Sequence, residues 1–244
     1  MSDIQKNDRI FYRNTRKRHP VVDYARGIEI FDKEGKRYLD FGAGIGVVNL
    51  GYDVSEVIEA AYNQMKRTSY AYTPVFTTEA TIGLSEALIE MTPQGMEKAL
   101  FVSGGSLAIE CALKLARQYH CERGNESKLK VIARWTSYHG NTVGALSASG
   151  RPFWRKYFSP YLLDFPHIEP PYCYRCPFGM EYPDCGVKCA HELERSIKLQ
   201  GPDNISAFIA EPVVGTSAAG VTPPPEYYRI IREICDAYDV LYIS

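Results

Sequence analysis

The 244-residue sequence has no apolar run close to the roughly 20 residues that a membrane-spanning helix needs. It also has no large excess of either charge, since 28 lysines and arginines stand against 29 aspartates and glutamates. A near-neutral chain offers no electrostatic reason to bind nucleic acid or an anionic membrane surface. The first residues lack the apolar core of a secretory signal. We therefore expect a cytoplasmic protein with neither a nucleic-acid nor a membrane partner.

Two nucleotide-binding motifs are missing as well. The sequence contains no G-x-x-x-x-G-K-[ST] phosphate loop. Gly42-Ala43-Gly44-Ile45-Gly46 is rich in glycine, but Val47 breaks the G-x-G-x-x-G spacing of a dinucleotide-binding turn. The segment also precedes the region in which strands and helices alternate, whereas a dinucleotide site uses the first strand–helix turn of that region. An ATP or dinucleotide site is therefore not expected.

Alternating strands and helices are the main pattern that is present. Short apolar runs at 99–102, 131–133, 207–210 and 240–243 are separated by segments with helical spacing of apolar residues. Strands that are apolar throughout indicate a parallel sheet covered on both faces. Two short strands at 29–32 and 37–41 and two helices, starting near Ser55 and Thr78, precede this region. The sequence therefore predicts an α/β protein with a mostly parallel sheet flanked by helices.

A glycine-rich turn lies between the predicted strand at 99–102 and the following helix, and it reads Ser103-Gly104-Gly105-Ser106. The start of a helix carries unpaired N–H groups and a partial positive charge. Glycines let a phosphate approach the backbone, and a serine hydroxyl adds a donor. The alternative is a plain tight turn in which Ser106 caps the helix.

Two more strands end in polar side chains. Tyr138-His139-Gly140 follows the strand at 131–133, and Glu211-Pro212 follows the strand at 207–210. Ligands collect beyond the carboxyl ends of parallel strands. Taken singly, His139 is better explained as a structural histidine than as a catalyst, and Glu211 is explained equally well as a functional carboxylate or as a loop residue. Together with the glycine-rich turn, they predict a site for a small, flat, phosphorylated cofactor.

Four of the seven cysteines cluster as Cys173-x-x-Cys176 and Cys185-x-x-x-Cys189. Paired thiols of this kind are compatible with zinc or an iron–sulfur cluster. The spacer between the pairs is shorter than in common zinc modules. The alternative is a compact loop with buried, reduced thiols, and we expect no metal here.

These residues resemble the N-terminal portion of a class III aminotransferase, a pyridoxal-phosphate (PLP) enzyme of fold type I. The resemblance spans nearly the whole chain, with its motifs in the family's order and spacing. The matching positions are Val21, Gly27, Asp32, Gly35, Tyr38-Leu39-Asp40-Phe41, Gly44-Ile45-Gly46-Val47, Asn49-Leu50-Gly51, Phe101 through Arg117, Tyr138-His139-Gly140-Asn141-Thr142, Gly144-Ala145-Leu146-Ser147, Glu211-Pro212-Val213 and Thr222-Pro223-Pro224-Pro225.

The resemblance implies a role for each predicted site residue. Gly105 and Ser106 would hold the phosphate of pyridoxal 5'-phosphate, Tyr138 would stack on its ring with His139 beside it, and Glu211 would sit near the substrate. On the substrate side, it implies that Ile45 lines the pocket. Many members carry an arginine, which clamps a substrate carboxylate, where this sequence has Asn141. Asn141 therefore argues against 2-oxoglutarate held in that way and leaves pyruvate or another oxo acid open.

The resemblance also assigns 1–66 to the small domain and 67–244 to the N-terminal part of the large, cofactor-binding domain. It implies transfer of an amino group from an amino acid or ω-amine donor to an oxo acid, in a homodimer. The family's ring-nitrogen aspartate would follow Ser244, and its Schiff-base lysine would come later still, so no catalytic residue is assigned here. We expect these 244 residues alone not to transaminate. They fit a partial copy of an enzyme, one half of a split enzyme, or a non-catalytic assembly partner.

Overall fold

The computed structural model describes residues 9–14 and 16–244. The described residues up to Ala99 form one compact unit, and Leu100–Ser244 form a second. The boundary expected from the family resemblance, between residues 66 and 67, separates the family's small domain from its large domain and not these two compact units. It stays a prediction.

The first unit contains a three-stranded antiparallel sheet in the order β1-β2-β3, followed by two helices. The strands are β1 (Val22–Arg26), β2 (Glu29–Asp32) and β3 (Arg37–Leu39), and the helices are α1 (Ser55–Arg67) and α2 (Glu79–Met91). The turn between β2 and β3 is stabilised by Asp32, whose Oδ1 accepts the N–H groups of Glu34 and Lys36 at 3.1 and 2.8 Å. Strands β2 and β3 and both helices lie where the sequence predicts them, whereas β1 was not predicted.

The glycine-rich segment of this unit forms a left-handed turn at Ala43–Gly46. Its four residues have φ angles of 44°, 58°, 63° and 78°. Glycine adopts such angles without steric cost, which explains the glycines at this place. The turn is held by Asp40, whose two carboxylate oxygens accept the N–H groups of Gly42 and Gly44. It is a structural turn of the first unit and not the opening of a βαβ nucleotide site.

The second unit is built on a four-stranded parallel sheet in the order β5-β4-β6-β7. The strands are β4 (Lys130–Arg134), β5 (His167–Ile168), β6 (Ile205–Ile209) and β7 (Leu241–Ile243). The helices are α3 (Gly105–Glu122), α4 (Val143–Ala148), α5 (Pro152–Arg155), α6 (Lys188–Gln200) and α7 (Tyr227–Ala237), with short 3₁₀ turns at Ser159–Tyr161, Cys173–Arg175 and Pro202–Asn204.

Helices cover both faces of this sheet, as the apolar strands predict. Successive side chains of a strand point to opposite faces. Accordingly, Ile132 and Phe208 pack into a core with α6 and α7, whereas Val131 and Ala207 pack into a second core with Leu113 of α3. The predicted α/β fold with a mostly parallel sheet flanked by helices is confirmed.

One strand prediction is wrong. Residues 99–102 have no regular secondary structure, and Leu100 is 74% exposed. A strand needs a hydrogen-bonded neighbour, and no strand of the described residues lies beside this segment. Conversely, β5 lies between the predicted strands at 131–133 and 207–210, where no strand is predicted from the sequence. With two residues, it is too short to show a period.

Candidate functional site

The first component of the site is the start of helix α3. Gly104 is the N-cap and has no side chain with which to cap the helix, and the first turn carries no acidic residue. A Cβ added at Gly104 or Gly105 would meet no atom within 4 Å, so this backbone is open. Helix-start N–H groups with this exposure favour an anion such as a phosphate. Ser106 is inside the helix, so the alternative in which it caps the helix is wrong.

The second component is the loop that follows β4. Three of its backbone N–H groups donate to side chains from three separate segments of the second unit, which fixes the loop in space. The bonds run from Tyr138 to Glu211 Oε1 (3.2 Å), from His139 to Ser149 Oγ (2.8 Å) and from Asn141 to Ser106 Oγ (3.0 Å). Two of these acceptors are predicted site residues, and Ser149 was missed because an isolated serine carries no sequence signal.

The structure brings the groups that follow β4 and β6 and the start of α3 to one open pocket. Ser106, Tyr138 and Glu211 all line it, together with Gly105 and His139. The pocket lies beyond the carboxyl ends of β4 and β6, where parallel sheets bind ligands. The pocket therefore brings together the residues that the sequence predicts to form one site.

Tyr138 presents an aromatic ring to this pocket. Its ring packs edge-on against Trp154, with 4.9 Å between the ring centroids, and the Arg151 guanidinium lies 4.7 Å from the Trp154 ring centroid. The Tyr138 side chain remains partly accessible, since the residue is 39% exposed. A planar group entering the pocket can therefore stack on it.

Glu211 is fixed through its backbone and through one carboxylate oxygen. Its carbonyl oxygen accepts hydrogen bonds from Arg134 Nη2 at 2.5 Å and from the Tyr228 hydroxyl at 2.6 Å. Oε1 accepts the Tyr138 N–H, while Oε2 is buried and has no hydrogen-bond partner in the described part of the chain. Burial raises the pKa of Glu211, and the Tyr138 N–H and the charge of Arg134 oppose this rise.

His139 is buried beside the pocket in its neutral form. Burial lowers its pKa to about 4, helped by the charges of Arg134 and His167. Its Nε2 is buried and finds no hydrogen-bond partner among the residues that the structure describes. A neutral imidazole adds no charge to the site near pH 7.

The sequence analysis also missed Glu110 of α3. Its Oε1 accepts the N–H groups of Gly144 and Ala145 at 2.9 and 3.3 Å, at the start of α4. This carboxylate ties the start of α4 to α3. One face of a long helix gives no indication of such a contact, because the partner lies 34 residues further along the chain.

The two predicted substrate residues, Asn141 and Ile45, lie in different units. Asn141 is exposed and adjoins the pocket through its N–H bond to Ser106. Ile45 belongs to the first unit, where it is 87% exposed in the left-handed turn. Its contact with substrate stays a prediction.

The four clustered cysteines line one small cavity, together with aromatic and proline side chains. Burial raises the pKa of the Cys189 thiol to about 11, and the nearby Cys173 and Cys185 add to this rise. All four are free thiols. Over residues 9–14 and 16–244, no three His, Cys, Asp or Glu side chains form a group that could hold a metal ion.

No helix of the described residues combines the length and the apolar character needed to cross a bilayer.

The sequence matches one family model, that of the class III aminotransferases, over residues 10–244. It is 40% identical over 227 residues to the uncharacterized aminotransferase YodT of Bacillus subtilis, which covers 93% of this chain and 51% of YodT. It is 39% identical over 229 residues to the diaminobutyrate–2-oxoglutarate transaminase of Halomonas elongata, covering 92% of this chain and 48% of that protein. The chain therefore spans about half the length of the curated relatives it matches.

Solved structures agree with the family match. The omega transaminase of Pseudomonas jessenii in complex with PMP superposes with a TM-score of 0.90 at 31% sequence identity, covering 98% of this chain and 54% of that one. The fold of this chain is therefore that of the fold type I transaminases. The chain belongs to the class III aminotransferase family, whose members are PLP-dependent enzymes.

Proposed function

We propose that this chain supplies the cofactor-binding pocket of a PLP-dependent aminotransferase, which moves an amino group from an amino acid or ω-amine donor to an oxo acid. The observation that carries the proposal is the shared pocket of Ser106, Tyr138 and Glu211 at the open start of α3. That pocket offers an anion site, an aromatic face and a carboxylate in one place.

The phosphate would bind at the start of α3. The N–H groups of Gly105 and Ser106 have no intrahelical acceptors, and the helix dipole favours a dianion there. Ser106 Oγ already accepts the Asn141 N–H, so its own O–H is left to donate. A serine in this position holds the loop and the ligand at the same time.

The ring would lie against Tyr138, with the neutral His139 beside it. Glu211 Oε2 is buried and unpaired among the described residues, and a buried carboxylate oxygen needs a donor. An ammonium group of the substrate or a polar group of the ring would satisfy it. These roles for Gly105, Tyr138, His139 and Glu211 follow the family resemblance, and the pocket's chemistry supports them.

When bound, PLP supplies an electron sink for the bond that breaks next to the amine. The residues of this chain bind, orient and desolvate that group. By resemblance, the covalent lysine and the aspartate that keeps the ring nitrogen protonated are not among these 244 residues. We therefore propose that the pocket is completed by residues outside them, in the same polypeptide or in a partner chain, and that the active form is a homodimer. The alternative is that the chain is a non-catalytic assembly partner.

A PLP titration tests the proposal. PLP is added to the 244-residue chain and to an extended, lysine-containing version, and the visible absorption spectrum is recorded. We expect the covalent chromophore only in the extended version, together with amino transfer. No chromophore in either form would refute the proposal. Co-purification of a second polypeptide that carries the lysine would identify a split enzyme.

The phosphate site has its own test in the extended version. Ser106→Ala should weaken PLP binding by about tenfold, the effect of one lost charge-assisted hydrogen bond. Binding of pyridoxal, which has no phosphate, should change little. Ser85→Ala, on exposed α2, is the matched control and should bind both ligands like the unaltered protein. An equal loss for both ligands would place Ser106 elsewhere than at the phosphate.

A further inference from the structure

A fully buried arginine bonds to the backbone of the pocket residue Glu211 and has no part in the proposed chemistry. Arg134, the last residue of β4, is 0% exposed. Burying a guanidinium is costly unless it is hydrogen-bonded. Its side-chain bonds among the described residues are to neutral groups: the Glu211 carbonyl at 2.5 Å and the Tyr228 hydroxyl at 3.4 Å. The Tyr227 ring centroid lies 5.8 Å from its Cζ.

Two donors from different elements converge on one acceptor at this place. Arg134 Nη2 from β4 and the Tyr228 hydroxyl from the first turn of α7 both donate to the carbonyl oxygen of Glu211. A carbonyl oxygen has two lone pairs, and both are used here. The backbone of Glu211 is thereby fixed relative to two rigid elements rather than to a loop.

Two further constraints act on the same residue. Pro212 follows Glu211, and a residue before proline is restricted to extended conformations. The Tyr138 N–H holds Oε1, at 3.2 Å. With the backbone fixed on one side and Oε1 bonded on the other, Oε2 is the carboxylate oxygen that has no hydrogen bond among the described residues.

We propose that Arg134 and Tyr228 are positioning residues that orient the Glu211 carboxylate toward the pocket by fixing its backbone carbonyl. This rests on the proposed function, because it assigns two further residues to the orientation of the same site. Neither residue touches the ligand. Their effect passes through the Glu211 backbone to Oε1 and from there to the Tyr138 N–H.

Amide hydrogen exchange measured by NMR on the 244-residue chain tests this without any cofactor. If the carbonyl is released, Oε1 moves and the Tyr138 N–H loses its acceptor. Arg134→Met should therefore speed exchange of the Tyr138 amide by about tenfold, the effect of one hydrogen bond. Tyr228→Phe should speed it by about threefold. The His139 amide bonds to Ser149 Oγ and should keep its rate in both variants.

Two controls separate positioning from general loosening. Tyr238→Phe removes a hydroxyl that donates to Glu194 Oε1 at 2.8 Å. This variant should leave the exchange rate of the Tyr138 amide unchanged. Arg134→Lys keeps the charge and one donor, and it should restore most of the protection lost in Arg134→Met. An unchanged exchange rate of the Tyr138 amide in both Arg134→Met and Tyr228→Phe would overturn the inference. Tyr228→Phe disturbs the core least, so an increase in the exchange rate of the His139 amide equal to that of Tyr138 in this variant would overturn it too. The PLP titration decides the proposed function separately, since the exchange experiment contains no cofactor.

Discussion

The backbone N–H of Asn141 donates to Ser106 Oγ at 3.0 Å, which ties the loop after β4 to the first turn of α3. The two residues are 35 positions apart in the sequence, and the contact places an aromatic platform beside an anion site. Gly140 makes it possible, because a Cβ at that position would lie 2.5 Å from Ser106 Oγ. The close approach of two backbones is the reason for a glycine here.

Gly140→Ala should therefore damage the site more than an ordinary glycine substitution. Its φ of +143° is strained for any side chain, and the new methyl group would also clash with Ser106 and Ala145. We expect a loss of about 3 kcal/mol in the free energy of unfolding of the second unit. Tryptophan fluorescence measures this, because both tryptophans, Trp135 and Trp154, lie in that unit.

Gly124→Ala provides the matched control. Gly124 also has a positive φ, +80°, but a Cβ there would meet nothing within 4 Å. It should cost only the backbone strain, about 1 kcal/mol. Equal losses for the two variants would show that the contact with Ser106 does not determine the residue at position 140.

The stability of the second unit should fall in mild acid through two buried histidines. Burial lowers the pKa of both His139 and His167 to about 4, from 6.5 in the unfolded chain. Between these values the unfolded chain binds more protons than the folded one, so protonation favours unfolding as the pH falls. Each histidine contributes about 3 kcal/mol that is present above pH 6.5 and lost by about pH 4.

Urea unfolding followed by tryptophan fluorescence at a series of pH values measures this effect. His139→Gln should flatten the dependence between pH 6.5 and 4 by up to about 1.4 kcal/mol per pH unit, and His167→Gln should do the same. The comparison uses the slope, so a uniform loss of stability from the substitution does not matter. An unchanged slope in both variants would contradict buried, neutral histidines.

A buried lysine should contribute strongly to stability in the second unit. Lys128 is 5% exposed, and burial lowers its pKa. Its Nζ donates to the carbonyl oxygens of Tyr238 and Asp239 at 2.9 Å and of Ile205 at 3.2 Å. Two of these carbonyls follow the C-terminus of α7, where a cation is favourable and acceptors lack intrahelical partners.

Lys128→Met keeps the length of the chain but removes the donor. We expect a loss of about 3 kcal/mol in unfolding free energy, because buried carbonyls lose a charged partner. Lys114→Met, on the exposed face of α3, is the control and should change stability by less than about 0.5 kcal/mol. If Lys128→Met changed the free energy of unfolding as little as Lys114→Met, the carbonyl oxygens would have to be hydrogen-bonded by solvent instead.

The long elements and the strand ends were predictable from sequence for a physical reason. A strand such as β6 is buried on both faces, so every residue from Ile205 to Ile209 is apolar or small, and the pattern is local. The positions of Tyr138 and Glu211 follow from the rule that parallel strands end at one edge. Ser106 reaches the same pocket from the start of α3, although the strand predicted before it at 99–102 does not form. The site prediction therefore rests on the alternation of strands and helices and on where strands end, and not on any single motif.

The supporting residues could not be predicted, because their partners are distant in sequence. Lys128 reads as a loop residue, and only the fold brings its ammonium to carbonyls more than 70 positions away. Arg134 ends an apolar strand, and its bond to Glu211 spans 77 positions. The failed strand at 99–102 shows the converse, since apolar residues alone do not form a strand without a neighbour to pair with.

Asn141 offers a test of acceptor choice in the lysine-containing extended protein. Its side chain is exposed, and its N–H bond to Ser106 would be kept by any residue other than proline. Asn141→Arg introduces a guanidinium that can bind a second carboxylate through two hydrogen bonds. We expect the KM for 2-oxoglutarate to fall by about tenfold, while that for pyruvate, which has a single carboxylate, changes little. Asn141→Leu controls for size without charge and should lower neither. A parallel fall in both KM values for Asn141→Arg would mean that the new charge attracts oxo acids in general, and that position 141 does not contact the distal carboxylate.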